Sequence, residues 1–235
     1  MKRIGIIGAM EEEVSRLKEE MTDVHTATKA GMVFLEGRLC GCDAVVVQSG
    51  IGKVNAGMCT QILADDYAVG AVINTGIAGG LLKEIHIGDI VISTDALQYD
   101  VHAEVFGYAP GEIPRMGRVS FPADESLISL AEQVCAKVNP EIATFRGRVV
   151  SGDRFISDPD VKQELREVYG GACAEMEGAA IAQAALLNEI PCVILRAISD
   201  NADDSAAEDS ETFDRKAIRH SVNLVMGMLK ELSEK

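Results

Sequence analysis

The sequence has no tryptophan, only four tyrosines and four histidines, and no apolar run approaching the roughly 18 residues that a membrane-spanning helix requires. The scarcity of aromatics sets no limit on small ligands, but the missing apolar run excludes a bitopic membrane protein. Lys2 and Arg3 stand directly before a short strand-like run rather than before the apolar core of a signal peptide, so a cytoplasmic protein is expected. The six cysteines (40, 42, 59, 135, 173 and 192) form no C-x-x-C pair, and several sit inside apolar runs. Reduced, buried thiols are the expectation, not a zinc site or a disulfide frame. The histidines at 25, 86, 102 and 220 have no ligand spacing, so no metal or cofactor is expected. Cations are also scarce, 22 against 37 acids, for a formal charge of −15. Such a surface repels phosphate backbones and anionic membranes, which makes nucleic acids and bilayers poor partners.

What is present suits a single domain over residues 1–235 with 47% hydrophobic content. Short runs rich in Val and Ile read as buried strands: IGIIGAM from Ile4, DAVVVQSG from Asp43, GAVINTG from Gly70, IGDIVIST from Ile87, RVVSGD from Arg148 and CVILRAIS from Cys192. Between them, apolar residues at helical spacing predict helices over 11–21, 54–65, 124–137, 158–168, 177–188 and 211–232. The alternation predicts an α/β fold, a three-layer αβα sandwich around a mixed, mostly parallel twisted sheet. The stretch from Tyr99 to Pro122, with Pro110, Pro114 and Pro122 among several glycines and aromatics, fits neither period and reads as a lid or an interface element.

In parallel α/β sheets ligands bind beyond the carboxyl ends of the strands. Those ends carry GAMEEEV, with Met10 and the run Glu11, Glu12, Glu13; SGIGKVNAG, with Ile51; NTGIAGG, with Ile77, Ala78 and Gly79; SGDRFIS, with Phe155 and Ile156; and RAISD, with Arg196, Ser199 and Asp200. A further stretch, CAEMEGAAIAQAA, puts Glu175, Met176 and Glu177 at the head of a helix of small residues. Each residue also has a plain structural reading. Glu11 to Glu13 suit a helix first turn, Glu175 and Glu177 a helix cap, Met176 and Phe155 a core, and Asp200 an N-cap or Asx turn. The Gly-rich turns GIGKVNAG and NTGIAGG could cradle a phosphate, yet neither matches a Walker or dinucleotide fingerprint. Three carboxylates beside such a site oppose an anion, so a neutral or cationic ligand is expected.

Together, GIIGAMEEEV, SGIGKVNA, INTGIAGGL, GDRFI, AEMEGAAIAQ and RAISDNAD resemble the bacterial 5′-methylthioadenosine/S-adenosylhomocysteine nucleosidases of the nucleoside phosphorylase superfamily, from Ile4 to about Met228. The resemblance implies hydrolysis of an N-glycosidic bond to adenine and a thioribose. It assigns Asp200 as the general acid to adenine N7, a role that requires burial to keep its carboxyl protonated. It assigns Glu13 as the water-activating carboxylate, with Arg196 helping to hold the water. Glu177 accepts from the ribose hydroxyls, Met176 packs on the sugar, Phe155 stacks on the purine and the Ile156 backbone reads its edge. Met10 and Ile51 form apolar wall, with Ile77, Ala78, Gly79 and Glu175 also at the substrate, while Ser199 steers its neighbour or the purine. It further implies a homodimer in which Phe106 of the VFGY stretch completes the neighbouring site.

Three positions depart from the family pattern. Ile77 replaces a hydroxyl residue, Ser210 stands where a lid aromatic is common, leaving Phe213, and His102 replaces an acid. These bear on the 5′ substituent. The rivals are a purine nucleoside phosphorylase, a futalosine-type nucleosidase and a non-catalytic nucleoside binder; the carboxylates at 13, 177 and 200 argue against the last.

Overall fold

A computed structural model describes residues 3–202 and 210–234. In chain order the elements are β1 (Ile4–Gly8), α1 (Glu11–Glu19), β2 (Thr22–Lys29), β3 (Met32–Leu39), β4 (Cys42–Gln48), α2 (Lys53–Tyr67), β5 (Ala71–Gly80), β6 (Ile90–Gln98), β7 (Phe121–Pro122), α3 (Glu125–Val138), β8 (Thr144–Ser151), α4 (Pro159–Glu167), β9 (Gly171–Glu175), α5 (Gly178–Leu187), β10 (Cys192–Asp200) and α6 (Ser210–Ser233). The strands form one mixed sheet in the order β10-β6-β8-β9-β5-β1-β4-β3-β2. Because β10 also pairs with β5, the strands β10, β6, β8, β9 and β5 close a ring, and β1-β4-β3-β2 extends from it as an open wing.

The apolar runs become the strands they predict, and burial explains why. All five residues of β1 are buried, as are Cys192 to Ser199 of β10, because both faces of the sheet are covered. One face packs on α1, α3 and α6 through Val14, Leu17, Val134, Val225 and Leu229. The other packs on α2 and α5 through Cys59, Leu63, Ile181 and Ala185. Five of the cysteines are buried and Cys40 is half-buried, all as free thiols. No helix among the described residues is long and apolar enough to cross a membrane.

Two strands carry no apolar signal. All eight residues of β2 are exposed at the free edge of the wing, so no alternation marks it. The fully buried β9, sequence GACAE, is built of small residues and lies in the stretch read as the head of a helix; the helix itself starts at Gly178. Tyr99 to Pro122 is irregular, as expected, apart from a 3₁₀ turn at Glu104–Phe106 and the two residues of β7.

The topology opens a gap in one strand. Along one edge β5 pairs with β10 from Val72 to Gly79. On the opposite edge β1 pairs with Ala71 to Asn74 and β9 with Gly79 and Gly80. Between them β5 has no strand neighbour on that edge, and the backbone of Ile77 is free to bind a side chain.

Candidate active site

The side chain that fills the gap is Glu13. It is the third residue of α1, a position from which a carboxylate reaches back over the helix start. Its Oε2 accepts the backbone N–H groups of Ala9 (2.7 Å) and Met10 (2.9 Å), and its Oε1 accepts that of Ile77 (3.1 Å). Glu11 and Glu12 remain exposed first-turn acids, and Glu11 pairs with Lys18 at 2.5 Å. Burial pushes the Glu13 carboxyl above its usual range, against the pull of Arg196 and of its backbone donors. Gly76 permits this approach, since a Cβ there would lie 2.3 Å from Arg196 Nη1 and 2.5 Å from Glu13 Oε1.

Arg196, in the middle of β10, is 1% exposed. Its Nη2 donates to Asn74 Oδ1 (2.7 Å) and to Glu175 Oε2, and lies 3.8 Å from Glu177 Oε2. Burial disfavours its charge, but Glu175, Glu177 and Glu13 together raise its basicity. A buried guanidinium among three carboxylates is stable only as a set, because any one charge left alone is costly. Asn74 fixes the arrangement from the other side by donating to the Ile7 carbonyl at 2.9 Å.

Glu175 proves to be committed on both oxygens. Oε1 accepts from Ser151 Oγ, and Oε2 accepts the N–H groups of Glu177 (3.0 Å) and Gly178 (2.8 Å) besides Arg196. It thus caps α5 and neutralises the arginine at once. Glu177 is freer. Its Oε1 accepts only the Gly52 N–H at 2.8 Å, and burial together with the neighbouring Glu175 pushes its carboxyl up to about 7.

The opposite end of the site is looser. Asp200 closes β10 just past an irregularity in its pairing with β5, and it is half-buried. Its Oδ2 accepts from Ser199 Oγ (2.8 Å) and its Oδ1 from the Ala202 N–H (2.7 Å), an Asx-type turn. The full burial expected of Asp200 is therefore absent: the protein leaves it half-buried on the cavity wall. Phe155 beside it is 59% exposed, whereas Ile156 is buried.

Between these ends lies a cavity of about 200 Å³, with Glu13, Glu177 and Asp200 on its wall and Met10, Ile51, Ile77, Phe155 and Met176 as apolar lining. Ala78, Gly79, Glu175 and Ser199 line it as well. Three of the sequence-predicted residues lie off the wall. Arg196 stands behind the carboxylates rather than at the cavity, and Ile156 borders only a smaller recess of about 40 Å³ next to Phe155 and Asp200. Phe106, 81% exposed on its 3₁₀ turn, does not reach the cavity of its own chain. His102 pairs with Glu104 at 3.3 Å, and the side chains of Ser210 and Phe213 lie outside the described residues.

The turn GIGKVNAG, one of the two candidate phosphate cradles, has two of its donors engaged by carboxylates. At the start of α2 the Gly52 N–H is held by Glu177 and the Lys53 N–H by Asp153 Oδ1 at 2.9 Å. A helix N-terminus attracts anions, and here the protein supplies two of its own.

Residues 3–230 match the protein family described as the Phosphorylase superfamily. The chain is 42% identical over 231 residues to the 5′-methylthioadenosine/S-adenosylhomocysteine nucleosidase of Bacillus thuringiensis subsp. konkukian (strain 97-27), covering 98% of this chain and 99% of that one. The chain belongs to the phosphorylase superfamily, in its methylthioadenosine/S-adenosylhomocysteine nucleosidase family. Among solved structures of the superfamily, the Neisseria meningitidis nucleosidase of that name, in complex with methylthio-immucillin-A, superposes with a TM-score of 0.94 at 38% identity, covering 98% of this chain and all of that one. The futalosine hydrolase of Helicobacter pylori superposes with a TM-score of 0.92 at 32% identity, covering 98% of each chain.

Sequence reasoning passed over several residues that this superfamily member uses to hold its site together. Asn74 had a visible signal, an amide inside an otherwise apolar strand, which calls for a buried partner. Ser151, Lys53 and Asp153 had none, because their partners come from distant segments.

Proposed function

We propose that the chain hydrolyses the N-glycosidic bond of 5′-thioadenosine nucleosides, 5′-methylthioadenosine and S-adenosylhomocysteine, to adenine and the corresponding thioribose. The bond between ribose C1′ and adenine N9 breaks with its electron pair going to the base. Asp200 delivers a proton to N7, so that adenine leaves neutral, and Ser199 holds the Asp200 carboxyl in place. Positive charge then grows on the ribose, where Glu13 and Glu177 face it across the cavity. Water adds to C1′ and gives its proton to Glu13, whose three backbone bonds orient it. Glu177 accepts the ribose hydroxyls, Met176 packs on the sugar and Phe155 stacks on the purine. Arg196 acts from behind the wall by holding Glu175 and Glu177, which revises its expected place beside the water.

The observation that carries this reading is the carboxylate set at the ribose end. Phosphorolysis needs a dianion there, yet the nearby helix N-terminus already holds Glu177 and Asp153, and Arg196 is enclosed by three acids. The apolar exposure of Phe106 and Val105 supports a homodimer in which Phe106 completes the neighbouring cavity. A futalosine-type substrate is the second reading, favoured by the likeness to the Helicobacter pylori enzyme. The test is incubation with methylthioadenosine, with and without phosphate, followed by identification of the sugar. Free methylthioribose under both conditions supports the proposal, and a phosphate-dependent 1-phosphate refutes it. A parallel incubation with aminofutalosine decides between the two hydrolytic readings.

A further inference from the structure

The SGIGKVNA turn meets the cavity through Ile51 and through the Gly52 N–H that holds Glu177, and its one charged side chain, Lys53, lies off the cavity wall. That side chain closes a cycle of three residues from separate segments. The Lys53 N–H donates to Asp153 Oδ1 at 2.9 Å. The Asp153 N–H donates to Asp100 Oδ2 at 3.1 Å. Asp100 Oδ1 in turn accepts from Lys53 Nζ, which also donates to Gln98 Oε1 at 3.0 Å. The lysine side chain is 15% exposed, so this is a partly enclosed pair and not a freely solvated one.

Two corners of the cycle lead to the cavity wall, and the third to the segment of Phe106. Lys53 follows Gly52, whose N–H holds Glu177. Gly52 has φ +100°, a conformation L-residues rarely adopt, and a Cβ there would sit 3.1 Å from Asp153 Oδ1. Asp153 stands two residues before Phe155. Asp100 lies near the start of the irregular segment that carries Phe106. We propose that Lys53 is a positioning residue that fixes the Phe155 loop against the start of α2, setting the purine-stacking ring relative to Glu177. The cause is electrostatic: Asp100 and Asp153 are two carboxylates sharing one hydrogen-bonded junction, and Lys53 is the cation that pairs with Asp100 there. With the cation removed, their repulsion drives the loop away from the helix.

The proposal rests on the nucleosidase reading for its kinetic consequence, and an exchange measurement keeps the two separable. In Lys53→Met, amide exchange across residues 153–156 accelerates about tenfold over wild type, while Lys29→Met, which breaks the remote Lys29–Asp66 pair, leaves it unchanged. The same Lys53→Met variant raises KM for methylthioadenosine roughly tenfold with kcat within about threefold, and Lys53→Arg restores most of both. Unchanged exchange in Lys53→Met, or an unchanged KM, overturns the proposal. Equal losses in kcat and kcat/KM overturn it too, since they place the lysine at the reacting atoms. Should Lys53→Met not fold, Lys53→Gln, which also removes the cation and keeps both carboxylates, carries the same prediction, and wild-type exchange and KM in that variant are equally fatal. If wild-type protein releases no adenine from any 5′-thioadenosine, the nucleosidase reading fails while the exchange comparison still decides the role of Lys53.

Discussion

The two ends of the cavity are built in opposite ways. At the ribose end Glu13, Glu175, Glu177 and Arg196 are all buried, and the three carboxylates accept backbone donors from the turn before α1, from β5, from the turn before α2 and from the start of α5. At the purine end Asp200 is half-buried, held by Ser199 and one turn, beside a Phe155 that is mostly exposed. The first end is preorganised by the fold, at the cost of gathering like charges. The second is left for the ligand to complete. On the proposed reading, a planar base seated on Phe155 supplies the cover that the protein walls do not and excludes water from Asp200 once it is bound.

The sharpest way to break the contrast is to remove the cation of the ribose end. Arg196→Met leaves three buried carboxylates facing one another, a loss of about 3–5 kcal/mol. Thermal unfolding should show a drop on the order of 10 °C, with adenine release abolished. A wild-type melting temperature would mean that the arginine neutralises nothing. At the purine end the corresponding truncation is silent for stability. Phe155→Ala should leave the melting temperature unmoved but raise KM for methylthioadenosine about tenfold, the usual loss when a base gives up an aromatic stacking partner. Steady-state kinetics beside a melting curve checks both halves.

The smallest effect concerns protons at the ribose end. The Glu177 carboxyl is raised from 4.5 to about 7, so the folded protein keeps a proton that the unfolded chain releases. Its contribution to stability is complete below 4.5 and is lost as the pH rises to about 7. Glu177→Gln should therefore flatten the decline in melting temperature across that interval, by a few °C at most on the order expected for a chain of this size. A decline as steep as in wild type assigns the titration to another group, with Glu13 the next to examine.

The same contrast governs how much was legible in the sequence. Strands buried on both faces announce themselves as apolar runs, and their ends exposed Glu13, Glu177, Phe155 and Asp200 as a set. The three-layer α/β architecture followed from the alternation of periods. β2 stayed hidden because a fully exposed edge strand has no buried face to pattern, and β9 because Gly and Ala pack inside a strand as readily as at a helix start. The placement of Arg196 behind the wall was also out of reach. It depends on Gly76 making room and on Asn74 holding the guanidinium, which are contacts between strands distant in sequence. Likewise GIGK reads locally as an anion cradle, and only the fold brings Glu177 and Asp153 to its donors.

The central claim is that one carboxyl group, Asp200 at the open end, carries the proton that lets adenine leave. Adenine release from methylthioadenosine by Asp200→Asn tests it directly, with a melting curve to show that the fold is kept. The amide preserves the contacts to Ser199 and Ala202 while removing the acidic proton, so the rate should fall by about a hundredfold or more with KM little changed. Release at the wild-type rate would contradict the account.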